Sequence, residues 1–530
     1  MEIPRMSCPF AAAAILLLAG ALAAAEPVRT TSGLVEGATT DGGTIRVFRG
    51  IPFAAPPVGA LRWKEPQPVT PWTGVRAATE FSSYCAQNAL FDDMVFHGKP
   101  SEDCLYLNVW TPAKAPGEKR PVMVWIHGGG FNAGAADEPR HEGTALARKG
   151  VVVVTVNYRL GVFGFLAHPE LTAESGRGAS GNYGLLDQLA ALGWVRDNAA
   201  AFGGDPGNVT IFGESAGSFA VSALVASPLA RGLVHKAIGE SGAFFGRNAL
   251  PAASLADSEK NGVSFGASVG AASLAALRAK TTDELLKATR EREPWFAPTI
   301  DGHVLPKDVE AIYAAGEQLR VPLLAGWNAD EVRGGVVLAK EPPTAKAFVE
   351  GVRKQFGPAA DAILKVFPAS TEAEALRSAG DLAGDTFLVY ATWKWIVEHA
   401  RTSGAPVYRY RFDRKIPVAP DTKIDGRPAT AEDVGARHAG EIEYVFGTLD
   451  SVPKVTWTDA DRRLSDLMTT CWSNFARTGH PNGPGVPSWP RFTGGGDGPQ
   501  VMHLDVASEA RPDEQRKRYE TLDTVLGPKR

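Results

Sequence analysis

The chain has 530 residues, a formal net charge of -4, and 44% hydrophobic against 22% charged residues, an ordinary globular composition. So small a charge gives no basis for a nucleic-acid partner or for electrostatic attachment to an anionic membrane. The length admits one large α/β domain or two to three ordinary ones.

The first residues read as a targeting segment. Arg5 precedes an apolar run from Phe10 to Leu22, and Ala23-Ala24-Ala25 offers a small-residue cleavage site before Glu26. The run is short for a bilayer span, and no later stretch is long and apolar enough for a membrane helix. Residues 1–25 are therefore expected to be a signal peptide, and 26–530 an exported mature chain with no integral membrane segment. Cysteine usage agrees. Cys8 leaves with the signal, Cys85 and Cys104 are spaced for a disulfide loop in an oxidising compartment, and Cys471 sits in a helical-looking run as a buried free thiol.

Residues 33–50 read as a hairpin, with Gly33 to Gly37 as one arm, a turn at Asp41-Gly42-Gly43, and Thr44 to Phe48 as the other. A proline-rich irregular segment follows over 51–74. Leu105 to Trp110 alternates as a strand. Pro121 to Ile126 and Val151 to Val156 are continuous apolar runs, as expected of strands covered on both faces. Asn182 to Ala201 carries leucines at helical spacing and is ended by Gly203-Gly204. Val209 to Phe212, Lys236 to Ile238, Val321 to Gly326 and Val407 to Phe412 read as further strands. Residues 250–300 and 340–400 read as mostly helical, and helices are expected to close the chain. Strands alternating with helices over the whole length predict one α/β domain, 26–530, with helical insertions.

Two glycine-bearing segments stand out. Gly213-Glu214-Ser215-Ala216-Gly217 lies between a short strand and a helix expected from Ala216 to about Ala226, before Pro228. Glycines on either side let backbones pass closely while the serine hydroxyl is raised above the sheet edge. His127-Gly128-Gly129-Gly130-Phe131 directly follows a strand. Its bare backbone N–H groups suit an oxyanion-binding loop. A plain turn would give the same composition. A dinucleotide loop would need an acid at the end of the next strand, which instead ends Asn157-Tyr158-Arg159.

A nucleophilic serine needs a base and an acid. His438, set among small residues in Gly435-Ala436-Arg437-His438-Ala439-Gly440, lies late in the chain, as the order serine, acid, histidine requires. Asp330-Glu331, just past a strand, fits the place of the acid, and position alone does not choose between them.

At this density of motifs the chain resembles the type-B carboxylesterases, a family that includes cholinesterases, bile-salt lipases and bacterial para-nitrobenzyl esterases. Besides the serine motif, the resemblance rests on Gly50-Ile51-Pro52-Phe53-Ala54, Pro56-Pro57-Val58-Gly59, Glu102-Asp103-Cys104-Leu105-Tyr106-Leu107-Asn108-Val109-Trp110, Asn157-Tyr158-Arg159, Gly203-Gly204-Asp205-Pro206 and Asn474-Phe475-Ala476-Arg477-Thr478-Gly479. It covers roughly residues 30–530. It implies an α/β-hydrolase fold and hydrolysis of a small-molecule ester with neither cofactor nor metal. It also implies Ser215 as nucleophile, Glu331 as acid, His438 as base, and backbone N–H groups of Gly129, Gly130 and Ala216 as the oxyanion hole. It further implies a Cys85–Cys104 disulfide and a pairing of Glu102 with Arg62. Cholinesterase-like members carry a tryptophan in the first cysteine loop. Here that loop holds Phe91 and Phe96 and no tryptophan, so choline esters are disfavoured and a broad apolar gorge for small or medium esters is expected. An esterase specialised on a toxin, polyester or carbamate, and a non-catalytic adhesion module of the same fold, are the alternatives.

Overall fold

The computed structural model describes residues 25–91, 94–246, 252–290, 296–333, 344–424, 426–494, 498 and 500–527. The expected signal peptide lies outside the described residues except for Ala25. An 11-stranded sheet runs through the molecule. In chain order its strands are β1 (Ala38–Thr40), β2 (Ile45–Pro52), β3 (Tyr106–Thr111), β4 (Arg120–Ile126), β5 (Val152–Val156), β6 (Gly204–Glu214), β7 (Lys236–Glu240), β8 (Leu323–Asn328), β9 (Val407–Phe412), β10 (Gln500–Leu504) and β11 (Glu509–Pro512). Across the sheet the order is β11-β10-β9-β8-β7-β6-β4-β5-β3-β2-β1. The strands from β10 to β5 in that order are parallel, and antiparallel strands complete both edges.

The continuous apolar runs serve two cores at once. Along β4, Val122, Val124 and Ile126 enter one cluster, while Met123 and Trp125 enter the other. The side-chain period of two in a strand makes this unavoidable, so both faces must be covered. The helices α1 (Tyr183–Asn198), α2 (Ala216–Ala226) and α3 (Tyr390–Thr402) pack on the first face, with Leu185, Leu189, Leu192, Val221 and Trp395 in its core. The helix α4 (Asp459–Thr478) covers the second face with Leu464, Met468, Cys471, Trp472 and Phe475. Its N-terminus is closed by a reciprocal pair of bonds between Thr458 and Asp461, and Gly479, at φ 81°, turns the chain away at its end.

The predicted elements differ from this fold in two places. Leu34–Glu36 is not an arm of the first hairpin. It pairs with Val28–Arg29 and Val75–Ala77 in a separate three-stranded sheet, and the hairpin is formed by β1 and β2 around the Asp41–Gly43 turn. Gly37 marks the switch, since a Cβ there would stand 2.2 Å from the Val47 carbonyl oxygen. The chain also does not close on helices alone. Between α4 and the last helix, Arg516–Leu526, the pair β10–β11 extends the sheet.

Cys85 and Cys104 form a disulfide, and Cys471 is a buried free thiol. Among the described residues, no helix is long and apolar enough to cross a membrane. Beside the disulfide, Arg62 and Glu102 meet in a two-pronged ion pair, Nε to Oε2 at 2.7 Å and Nη2 to Oε1 at 2.5 Å. Both side chains are 8% exposed. The rest of the guanidinium donates to the carbonyls of Arg278 and Lys280, and the Thr282 hydroxyl donates to Glu102. One buried group thus fastens the cysteine loop to the segment between two helices of the insertion. Arg62→Ala is expected to lower stability by about 3–5 kcal/mol, because it leaves a buried carboxylate without its cation. Denaturant melts check it, and a loss below about 1 kcal/mol would mark the pair as no more than a surface one.

Candidate active site

The carboxyl ends of β4, β6, β7 and β8 bring the singled-out residues together. Ser215 follows β6 at φ 53° and ψ -123°, a conformation non-glycine residues rarely adopt. The turn is held by close packing of backbone. A Cβ on Gly213 would meet the Ile126 carbonyl oxygen at 2.5 Å, and one on Gly217 would meet it at 2.0 Å. The Ser215 N–H donates to the Glu240 carbonyl at 2.9 Å, which ties the turn to β7. Ser215 also caps α2, so its hydroxyl stands at the positive end of an 11-residue helix.

The loop after β4 faces it. Gly129 and Gly130 lie at φ 105° and 62°, and a Cβ on Gly129 would meet the Ala133 carbonyl oxygen at 2.2 Å. The loop is pinned from outside. Asn132 Nδ2 donates to the Gly130 carbonyl at 2.7 Å, and the Tyr158 hydroxyl donates to the His127 carbonyl at 2.7 Å. Gly128, Gly129, Gly130 and Ser215 line one cavity.

His438 Nε2 lies 3.0 Å from Ser215 Oγ, and its Nδ1 lies 2.7 Å from Glu331 Oε2. The other oxygen of Glu331 accepts from the Ser241 hydroxyl at 2.5 Å and from the Asn328 N–H at 2.8 Å. Glu331 is thus fixed on both oxygens. Asp330 turns the other way. Its Oδ2 accepts from the Ala436 N–H at 2.8 Å, and the space beside it is closed to any Cβ on Gly435. The two adjacent acids therefore hold different parts of one loop, Glu331 the imidazole and Asp330 the backbone that leads to it.

Sequence reasoning missed Ser241, Glu214, Glu240 and Glu441. Ser241 sits at φ 55° directly after β7, and its signal was only a polar residue at a strand end followed by a glycine. Glu214 Oε1 lies 3.3 Å from His438 Nε2. Burial of the imidazole lowers its proton affinity, and the carboxylates of Glu214 and Glu331 more than reverse this, raising His438 to about 10. Elsewhere burial is the main cause, joined at His127 and His141 by the charge of Arg140. It lowers His127 and His399 to about 4 and His141 well below its usual value, so these histidines stay neutral and structural.

The cavity measures 780 Å³ and is walled by Phe165, Phe219, Phe296, Phe387, Leu388 and Ile442. Leu388 and Phe387 are delivered by a wide helical turn, Asp385–Val389, set between the helix Glu372–Gly384 and α3. The Phe387 ring stands edge-on to the His438 ring, centroids 6.0 Å apart. Phe91, from the disulfide loop, lies at the cavity with 43% of its surface exposed. Phe96 instead packs on Tyr84 at 4.5 Å. Among the described residues, no group of His, Cys, Asp and Glu is arranged to hold a metal ion.

Residues 24–522 match the carboxylesterase family. The chain is 40% identical over 491 residues to fumonisin B1 esterase of Sphingopyxis macrogoltabida, covering 87% of this chain and 84% of the relative. It is 36% identical to para-nitrobenzyl esterase of Bacillus subtilis (strain 168), with 92% and 97% covered, and 38% identical to carboxylesterase 1C of Rattus norvegicus, with 88% and 87% covered. A solved structure of a PNB esterase superposes with a TM-score of 0.78 at 34% identity, covering 94% of this chain and 99% of that one. The chain thus has the α/β-hydrolase fold, belongs to the carboxylesterase family and is a carboxylic ester hydrolase.

Proposed function

We propose that the chain cleaves carboxylic esters through an acyl-enzyme on Ser215. The observation that carries this is the run of hydrogen-bond distances from Ser215 Oγ through His438 to Glu331, 3.0 and 2.7 Å. His438 takes the serine proton as Oγ attacks the ester carbonyl, then hands it to the leaving alcohol. Water, activated by the same imidazole, releases the acid. Glu331 fixes the tautomer of His438 and stabilises the imidazolium. The N–H groups of Gly129, Gly130 and Ala216 receive the developing oxyanion, helped by the α2 dipole. The phenylalanine-rich wall suits uncharged small or medium esters, and no tryptophan stands in the described part of the cysteine loop to receive a choline group. Residues 26–530 act as one exported domain, a reading that the disulfide favours.

One observation favours a narrower reading, an esterase specialised on a toxin. It is the 40% identity to fumonisin B1 esterase. A panel of p-nitrophenyl acetate to decanoate run beside fumonisin B1 separates the two. A specialist shows kcat/KM for the toxin far above that for every simple ester.

Ser215→Ala is expected to abolish hydrolysis, and an organophosphate is expected to label Ser215 in the native protein. Glu331→Gln should lower kcat by at least ~10², since the Asp→Asn change in the serine-protease template costs ~10⁴. Asp330→Asn keeps an oxygen for the Ala436 N–H and should stay within about tenfold of wild type. A crippled Asp330→Asn beside an active Glu331→Gln would move the acid by one residue.

The pH dependence follows from the sign of the His438 shift. The base works when neutral, so kcat/KM rises with pH as the imidazolium loses its proton. The carboxylates around it place that limb above the ~6.5 of a free histidine. A limb at or below ~6.5 would exclude His438 in this setting.

A further inference from the structure

Beneath His438 the strand ends collect more acid than an acyl-transfer site uses. Glu214 ends β6, Glu240 ends β7, Glu331 follows β8, and Glu441 lies three residues beyond His438. The Tyr410 hydroxyl of β9 belongs to the same cluster, where burial, reinforced by the acidic groups around it, opposes its ionisation. Glu240 and Glu441 are both 0% exposed. Each has one oxygen satisfied: Trp472 Nε1 of α4 donates to Glu240 Oε1 at 2.7 Å, and Asn328 Nδ2 of β8 donates to Glu441 Oε2 at 2.5 Å. The remaining oxygens, Glu240 Oε2 and Glu441 Oε1, have no hydrogen-bond partner among the described residues, and neither does the Tyr410 hydroxyl.

A fully buried carboxylate oxygen with no donor is among the costliest groups a protein can hold. A proton removes the charge and turns an acceptor without a donor into a donor. We propose that Glu240 and Glu441 are positioning residues kept as neutral carboxylic acids at neutral pH, so that Glu214 and Glu331 are the carboxylates that His438 answers to. Burial, reinforced by the charge of Glu214, raises Glu240 to about 8. Burial, reinforced above all by the charge of Glu214, raises Glu441 well above its ordinary value. The consequence reaches the base. An ionised Glu441 would stabilise the imidazolium beyond what Glu214 and Glu331 already do, and would hold the base protonated to higher pH. A proton on Glu441 takes that contribution away. The proton on Glu240 removes a second buried negative charge from the same cluster.

The inference rests on His438 being the base, but infrared difference spectroscopy tests it without any turnover. At neutral pH the native protein should show the C=O stretch of protonated carboxyl groups, and Glu240→Gln and Glu441→Gln should each remove part of it. Glutamine keeps the oxygen that accepts from Trp472 or Asn328 and adds no charge, so the acid limb of kcat/KM should stay where it is in both variants. If Glu441 were ionised, Glu441→Gln would delete a neighbouring negative charge and lower the limb by about 1–3 units. A signal unchanged in both variants, as a water bridging two carboxylates would give, or a lowered limb in Glu441→Gln, overturns the proposal. If Glu441→Gln does not fold, the native spectrum and Glu240→Gln still decide whether the protons are retained. Loss of activity in Ser215→Ala with no infrared change would separate a failure here from a failure of the proposed mechanism.

Discussion

Three backbones that approach within the reach of a methyl group hold the site together. The Ile126 carbonyl oxygen at the end of β4 stands where a Cβ on Gly213 or on Gly217 would have to go. This approach forces the chain to turn sharply between β6 and α2, and the turn leaves Ser215 in a left-handed conformation that costs of order 1–3 kcal/mol. The surrounding structure supplies the constraint. β6 is hydrogen-bonded on both sides, by β4 and β7, and α2 is buried along its whole length. A loop could not keep a serine in that conformation, whereas a central strand and a buried helix, each fixed independently, leave the residue between them no alternative.

The same constraint sets where the other groups can be. Because Gly217 presses against Ile126, the loop that follows Ile126 must pass beside Ser215, which puts the glycines 128–130 within reach of any group bound there. β7 and β8, next in the sheet, end at the same level and carry Ser241, Asn328 and Glu331. The parallel register of the central strands thus turns one local strain into a row of aligned chain ends. Ligand sites in open α/β sheets lie at such carboxyl ends for this reason.

What was legible in the sequence follows the same division. Ser215 could be read because its turn demands glycine at two fixed positions, and the helix boundaries of α2 followed from the proline beyond it. The buried strands could be read because coverage on both faces leaves them almost wholly apolar. The choice between Asp330 and Glu331 could not be read from local pattern. Adjacent residues share a neighbourhood in sequence and part company only in space, one toward His438 Nδ1 and one toward the Ala436 N–H. Ser241 was invisible for a related cause, since its role is to donate to a carboxylate 90 residues further along the chain. β10 and β11 were missed because short edge strands are defined by their partner and not by their own composition.

The acids beneath His438 show how the fold limits its own chemistry. Aligning strand ends brings polar residues into a space that α2, α3 and α4 have already closed to water. A single carboxylate there helps a base by stabilising its charged form, but each further one acts in the same direction at low dielectric and costs more to ionise. Beyond two, the cheaper state for the next carboxyl is to keep its proton. Its influence on the base then falls to that of a dipole. A cluster of glutamates at such a position is therefore a weak guide to the local charge, and the partners of each oxygen are the better one. Glu331 has donors on both oxygens, while Glu240 and Glu441 each have a donor on one. The pattern of donors, not the number of acids, sets the field in which the imidazole works.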